Sequence, residues 1–284
     1  MIDVLLKIIV FGAVVGGIWG LVASGFSLIF GVSRILNFAH GAAFVCSAYV
    51  AFMLISSGVN VYASILAGLA VSGLLGILVY SLTRPVRKNE VMVIIVTLAL
   101  ALLIQQILLV NFGDRGISII PLVKGVVELN NLKVTNMRVT SFILAVVSLV
   151  SLDLVISKTS IGKRILATSQ DSEAAMLIGI DVERIFILVM VLSSILAGFA
   201  GILYAQIFAI SPETSLRALI YAFAIVILGG LGSLRGSIVS SFIVGYILVV
   251  TITFLGARWS EFVMLLAIVT ILVVKPTGLF GVEE

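Results

Sequence analysis

Lys158–Arg184 reads KTSIGKRILATSQDSEAAMLIGIDVER, a polar island in a chain that is otherwise almost continuously apolar. It holds eight of the 30 charged residues, 17 basic and 13 acidic in all. Each charged side chain at the centre of a bilayer costs roughly 2.5 to 3.5 kcal/mol on insertion scales. The island therefore lies outside the hydrocarbon and divides the apolar sequence into two parts. It splits further into a basic turn, Lys158–Arg164 with Gly162, and an expected helix over Ile165–Ile180 that Gly179 ends. Asp171 and Glu173 fall on one side of that helix, and Ala174, Ala175, Met176 and Leu177 on the other. The Ala174–Ala175 pair offers a narrow face that an aqueous partner could clasp. With four basic and four acidic residues the segment attracts anionic lipid poorly, which argues against a helix lying on the membrane surface.

Outward from the island, composition fixes the class. The 284 residues are 62% hydrophobic and 11% charged, where soluble domains average about 25% charged residues. A span needs about 20 apolar residues, and nine segments come near that length. They are Leu5–Phe30, Gly41–Ser57, Val61–Leu82, Val91–Phe112, Val139–Ile156, Ile185–Ala209, Ala218–Leu231, Ser237–Leu255 and Phe262–Val274. The second and seventh are short, so the expectation is an all-α polytopic bundle of eight or nine spans in a single domain over residues 1–284. Met1–Gly20 lacks a small-residue cleavage site and reads as the first span. Residues 113–138 form an external loop, and the alternation of Val126–Val134 around Asn130-Asn131 fits a small hairpin as well as an irregular cap. Residues 157–184 form a cytoplasmic segment.

Arg84, Arg87, Lys88 and the basic residues of the island fall on one side of the bundle, which the positive-inside rule makes the cytoplasm. The N-terminus then lies outside and the C-terminus inside. The net charge of +4 is loop charge, with no basic patch for nucleic acid. Cys46 is the single cysteine and His40 the single histidine, too few for a zinc site of His/Cys type. Gly229–Gly236 is glycine-rich but lacks the Lys-Ser/Thr ending of a phosphate-binding loop, so ATP would have to bind on another chain. Gly12, Gly16, Gly20 and Ser24 recur every fourth residue, as do Ser64, Gly68, Ser72 and Gly76, and Ser193, Ala197, Gly201 and Ala205. Such stripes let helices approach closely and predict packing faces inside the bundle.

Polar groups inside spans are the candidates for a solute path. Asn37 and His40 break the pattern between the first two segments and would share a face if helical. Gln105 and Gln206 interrupt the fourth and sixth. For each, the competing reading is structural: a helix cap for Asn37 and His40, an inter-helix hydrogen bond for the glutamines. An ion-coupled transporter would place several carboxylates inside spans; here only Asp153 lies in one, near its cytoplasmic end. No cluster of acid, base or metal ligands suggests an intramembrane enzyme.

Gly31-Val-Ser-Arg-Ile-Leu-Asn-Phe-Ala-His-Gly41 resembles a signature of the permease subunits of branched-chain amino acid ABC transporters, the LivH-like inner-membrane permease family. The island is similar to that family's cytoplasmic coupling motif at Gly162, Arg164, Ala167, Asp171, Ala174, Ala175, Gly179 and Ile180. Leu228–Ser233 with Gly236, and Lys275–Gly281, agree as well, so the resemblance runs through nearly the whole chain. It departs at Ala42, where relatives often carry an acidic residue, and at Arg235, where they often have a small residue or proline. The resemblance implies a bacterial cytoplasmic-membrane importer. Two ATPase subunits would bind ATP and Mg, a second permease, identical or homologous, would pair with this one, and an external binding protein would deliver solute. Branched-chain or other hydrophobic amino acids are the implied cargo, with urea, short amides and aromatic acids as alternatives. The chain itself would bind no cofactor and catalyse no reaction.

Overall fold

Apolar runs bounded by turn and charge clusters become helices, because a buried backbone must satisfy its hydrogen bonds within the segment. The computed structural model describes residues 2–129 and 132–280. In order, it contains α1 (Ile2–Ser33), α2 (His40–Ser56), α3 (Val61–Thr83), α4 (Glu90–Phe112), β1 (Val126–Leu129), β2 (Leu132–Thr135) and α5 (Asn136–Lys158). After these come α6 (Ser160–Gln170), α7 (Ser172–Leu177), α8 (Val182–Ala205), α9 (Thr214–Gly229), α10 (Leu234–Phe254) and α11 (Ser260–Val274). All nine expected apolar segments are helical.

Seven of these helices among the described residues are long and apolar enough to cross a membrane: α1, α3, α4, α5, α8, α10 and α11 with the short turn before it. The expected count of eight or nine is not reached by length, because α2 and α9 have only 17 and 16 residues. At 1.5 Å per residue these are about 25 Å long, against a hydrocarbon core of about 30 Å. The shortfall of α2 has a visible cause. His40 Nε2 lies 2.9 Å from the carbonyl oxygen of Val22, and Val22 is eleven residues, about 16 Å, before the end of α1. Residues 35–39 therefore run back along α1, and α2 starts at depth inside the bundle.

α1 is the central post, packed by α5, α8, α9 and α10. The small-residue stripes are where the closest crossings occur. Gly12, Gly16 and Gly20 face Tyr246, Phe242 and Ser241 of α10; a Cβ on Gly16 would stand 2.9 Å from the Phe242 Cα. On α3, Ser64, Gly68, Ser72 and Gly76 are all buried, and Gly68 lies against the Ser47 carbonyl of α2. Ser47 Oγ ties α2 to α8 by donating to the Gly198 carbonyl at 2.7 Å.

β1 and β2 form an antiparallel hairpin with Val126 opposite Thr135 and Leu129 opposite Leu132. Its expected Asn130-Asn131 tip lies outside the described residues. The loop of 113–138 is shorter than expected at its far end, since α5 already begins at Asn136 and includes Arg138.

Candidate functional site

The polar segment 157–184 folds as two short helices joined to the bundle by side-chain caps. α5 stops at Thr159, whose backbone is extended; its Oγ1 donates to the Val155 carbonyl at 2.6 Å and accepts from Gly162 N–H at 3.1 Å. Gly162 is buried against the carbonyls of Val155 and Ile156, where any Cβ would collide with backbone. The expected basic turn is thus one non-helical residue, with Lys163 and Arg164 on the exposed side of α6 and Ile165 and Thr168 buried.

The single helix expected over Ile165–Ile180 is in fact two. Asp171 adopts φ −152° and ψ 109°, which ends α6, and its Oδ1 accepts from the N–H groups of Glu173 and Ala174 at 2.9 and 3.0 Å to start α7. An aspartate in this role satisfies two of the helix's free donors and is worth about 1 kcal/mol over alanine. Gly179, at φ +85°, closes α7, as Gly179 and Ile180 donate to the carbonyls of Met176 and Ala175. Asp181 then caps α8 by accepting from Arg184 N–H at 3.2 Å.

The exposed face differs from the expected one. Ala175 is 2% exposed and belongs to the core, so it cannot form half of a clasping face with Ala174, which is exposed. The apolar side chains offered to solvent are Met176, Leu177 and Ile178, at 55%, 90% and 74% exposure. Sequence periodicity could not show this, because six helical residues complete less than two turns. The available signal was the run Ala174–Ile180, seven residues without a charge in the middle of a polar segment. Of the other residues of the coupling motif, Arg164 and Asp171 are exposed, while Ala167 and Ile180 are half-buried.

The segment is moored at the start of α8. Glu183 accepts hydrogen bonds from Tyr80 Oη and, at 2.8 Å, from Arg87, with Arg84 at 3.6 Å. The Arg87 guanidinium also lies 4.5 Å over the Phe186 ring. The cluster is partly solvated, so each pair contributes modestly, but together they fix α8 to the α3–α4 turn. Between this mooring and α7 lies a cavity of 840 Å³, bordered by Arg34, Arg87, Asp171, Glu173 and Glu183. Arg34, which ends α1, has φ +51° and is the one non-glycine residue with positive φ among those described.

Of the four polar residues expected along a solute path, only Asn37 and His40 lie side by side. Asn37 precedes α2, so it shares no helical face with His40; its Oδ1 accepts from Ala39 N–H at 3.0 Å. His40 is fully buried, packed edge-on to Phe26 at 5.8 Å and against Gly25, where a Cβ would come within 3.0 Å of its ring. Its Nδ1 has no partner among the described residues. Gln105 of α4 is half-buried with Oε1 unpartnered. Gln206, just past α8, accepts from Leu122 N–H at 3.0 Å and donates to the Ile202 carbonyl. Asn37 and His40 are joined through the backbone, where His40 N–H donates to the Asn37 carbonyl at 3.3 Å; no side chain of the four bonds to another of them among the described residues. Asp153, the sole carboxylate in an expected span, pairs with Arg235 at 3.1 Å, so the residue that departs from the family pattern neutralises it.

A sequence profile described as the branched-chain amino acid transport system permease component matches residues 8–273. The chain belongs to that family. It is 25% identical to the high-affinity branched-chain amino acid transport system permease protein LivH of Escherichia coli, over 96% of this chain and 94% of that one. Identity is 26% to BraD of Pseudomonas aeruginosa, a permease protein of the same description, over 98% and 96% of the two chains. It is 27% to a probable LivH of Methanocaldococcus jannaschii, over 98% and 93%. Among solved structures, PsaBC from Streptococcus pneumoniae in complex with Fab is similar in fold, with a TM-score of 0.54, 12% identity, and coverage of 94% of this chain and 91% of that one. This permease is thus a multi-pass membrane protein and a transport subunit, and its relatives are parts of multi-subunit transport systems.

Proposed function

We propose that this permease is the membrane-spanning subunit of an ATP-driven importer for branched-chain or other hydrophobic amino acids, in the bacterial cytoplasmic membrane. Two ATPase subunits bind ATP and Mg²⁺, a second permease subunit completes the solute path, and an external binding protein delivers the cargo. The N-terminus faces outside and the C-terminus the cytoplasm, in keeping with Arg84, Arg87, Lys158, Lys163 and Arg164 at one end of the bundle.

The observation that carries the coupling role is the α7 tip. Leu177 and Ile178 stand out in water on a helix whose two ends are set by Asp171 and Gly179. Large apolar side chains held exposed mark an interaction surface, and the moored base makes that surface a lever. Closure of the ATPases moves α7, and the Glu183–Arg87 cluster passes that movement to α8 and α3. Transport coupling of this kind joins two sites through a bundle with two arrangements. Asn37, His40, Gln105 and Gln206 remain candidates for the path itself, Gln105 with an amide oxygen that a partner subunit or solute would satisfy.

Asp171→Arg and Gly179→Trp test this reading. The arginine not only loses the two N–H bonds of the cap but reverses an exposed charge beside the α7 tip, and tryptophan is strained at φ +85° although nothing crowds a Cβ there. Each variant is expected to reach the membrane, lose ATPase co-purification, and cut uptake at least tenfold. Normal co-purification and uptake in both would sink the coupling role.

A further inference from the structure

At the end of the bundle that carries the N-terminus of α1, two neighbouring cavities meet at one guanidinium. The first, of 280 Å³, is a slot between α1 and α10 walled by Phe11, Val15, Val249 and Ile252, with Lys7 on its rim. The second, of 310 Å³, lies between the hairpin and the end of α8 and is the more polar of the two, with Lys124, Thr135 and Gln206 in its wall beside Val123 and Met137. Arg138, in the first turn of α5, borders both. Its guanidinium carbon sits 4.4 Å over the Phe11 ring and 5.7 Å from that of Phe208.

Elsewhere in the molecule, Arg84, Arg87, Arg184, Arg217 and Arg235 each have a carboxylate within 4 Å. The described residues give Arg138 neither an ion-pair partner nor a hydrogen bond, and neither cavity wall contains an acid. Two aromatic rings hold the planar cation in place, leaving its five donors free to face an anion. Lys7 and Lys124 add two further positive charges around the same point. The apolar slot narrows the choice of anion. From Lys7 to Val15 it follows α1 for eight residues, about 12 Å, most of the ~15 Å depth of one hydrocarbon leaflet. A free anion would leave that slot empty, and an acidic protein surface has nothing long and thin enough to enter it.

We propose that Arg138 and the α1–α10 slot form a binding site for an anionic phospholipid. Its phosphate rests on Arg138 between Lys7 and Lys124, and one acyl chain lies in the slot against Phe11, Val15 and Ile252. Basic pockets between membrane helices bind acidic headgroups by the same chemistry.

The test is native mass spectrometry of the full chain in mild detergent, with phosphatidylglycerol or phosphatidylcholine of identical acyl chains. Wild-type protein is expected to retain phosphatidylglycerol at least tenfold more tightly. Arg138→Met, which keeps an apolar stem over the rings, should abolish that preference, and Arg138→Lys should keep part of it. Because Arg138→Met could disturb packing, Lys7→Gln, on an exposed side chain, provides a second variant and should weaken the preference several-fold. Equal retention of the two lipids, or a preference that survives both Arg138→Met and Lys7→Gln, overturns the proposal. So does full competition by glycerol phosphate, which would make this a plain phosphate site. Displacement of lipid by a second copy of the chain seated in the slot overturns it as well.

Discussion

The seam between α1 and α10 and the tip of α7 solve opposite problems with the same chain. In the seam, side chains are removed: Gly12, Gly16 and Gly20 let the two backbones approach within reach of Phe242 and Ser241, and Gly245 returns the favour against Gly16. At the tip, large side chains are retained where nothing covers them, on Met176, Leu177 and Ile178. Inside a membrane, lipid is as apolar as leucine, so helices gain by shape and close approach. In water, exposed leucine and isoleucine gain only when a partner arrives. The seam is an internal joint that is complete already, and the tip, on the proposed coupling role, is half of one.

Mutations can break that contrast from either side. The largest effect is expected from Gly245→Leu, because even a Cβ there would lie 2.6 Å from the Gly16 Cα. Two backbones must separate, at a cost of about 3 kcal/mol or more. Folded protein in the membrane should fall sharply, read as the monodisperse fraction after detergent extraction. Next comes Leu177→Asp, which should leave thermal stability in detergent within error, since the side chain touches nothing that would miss it, yet reduce uptake at least tenfold. Equal loss of stability and uptake would place Leu177 with the seam. The smallest effect belongs to Asp171→Ala. Removing the cap costs about 1 kcal/mol locally, so α7 frays, and uptake should fall only several-fold. Hydrogen exchange confined to Ser172–Leu177 would register it. An effect as large as that of Leu177→Asp would mean that Asp171 itself touches the partner.

The sequence and the structure agree where a pattern has one physical meaning. Nine apolar runs became nine helices because a backbone in hydrocarbon has no other way to pair its polar groups. The fourth-residue glycines became contacts because little else places small residues at that interval. Disagreement arose where a residue has two lawful uses. Asp171 reads as a surface charge on a continuous helix or as a cap between two, and only its φ of −152° decides. Ala175 could face water or the core, and six residues are too few to tell. The approach of His40 to Val22 depends on residues 35–39 doubling back, a tertiary event with no local signature. Arg138 falls at the last position of the 113–138 loop read from sequence; its position between two aromatic rings brings together residues 127 and 70 positions away in the chain.

One hydrogen bond has a mechanical meaning. Phe38 N–H, in the irregular stretch before α2, donates to Thr97 Oγ1 on α4 at 3.2 Å. α4 buries only Val93, Thr97, Leu100, Ala101 and Leu108, so along most of its length it leans on the bundle lightly. The hydroxyl works as a pin through two parts that could otherwise slide. Any tilt of α4 that withdraws it strands a peptide N–H among apolar groups, at a cost of about 1 to 3 kcal/mol. A lightly packed helix and the irregular backbone before α2 are thereby obliged to travel together.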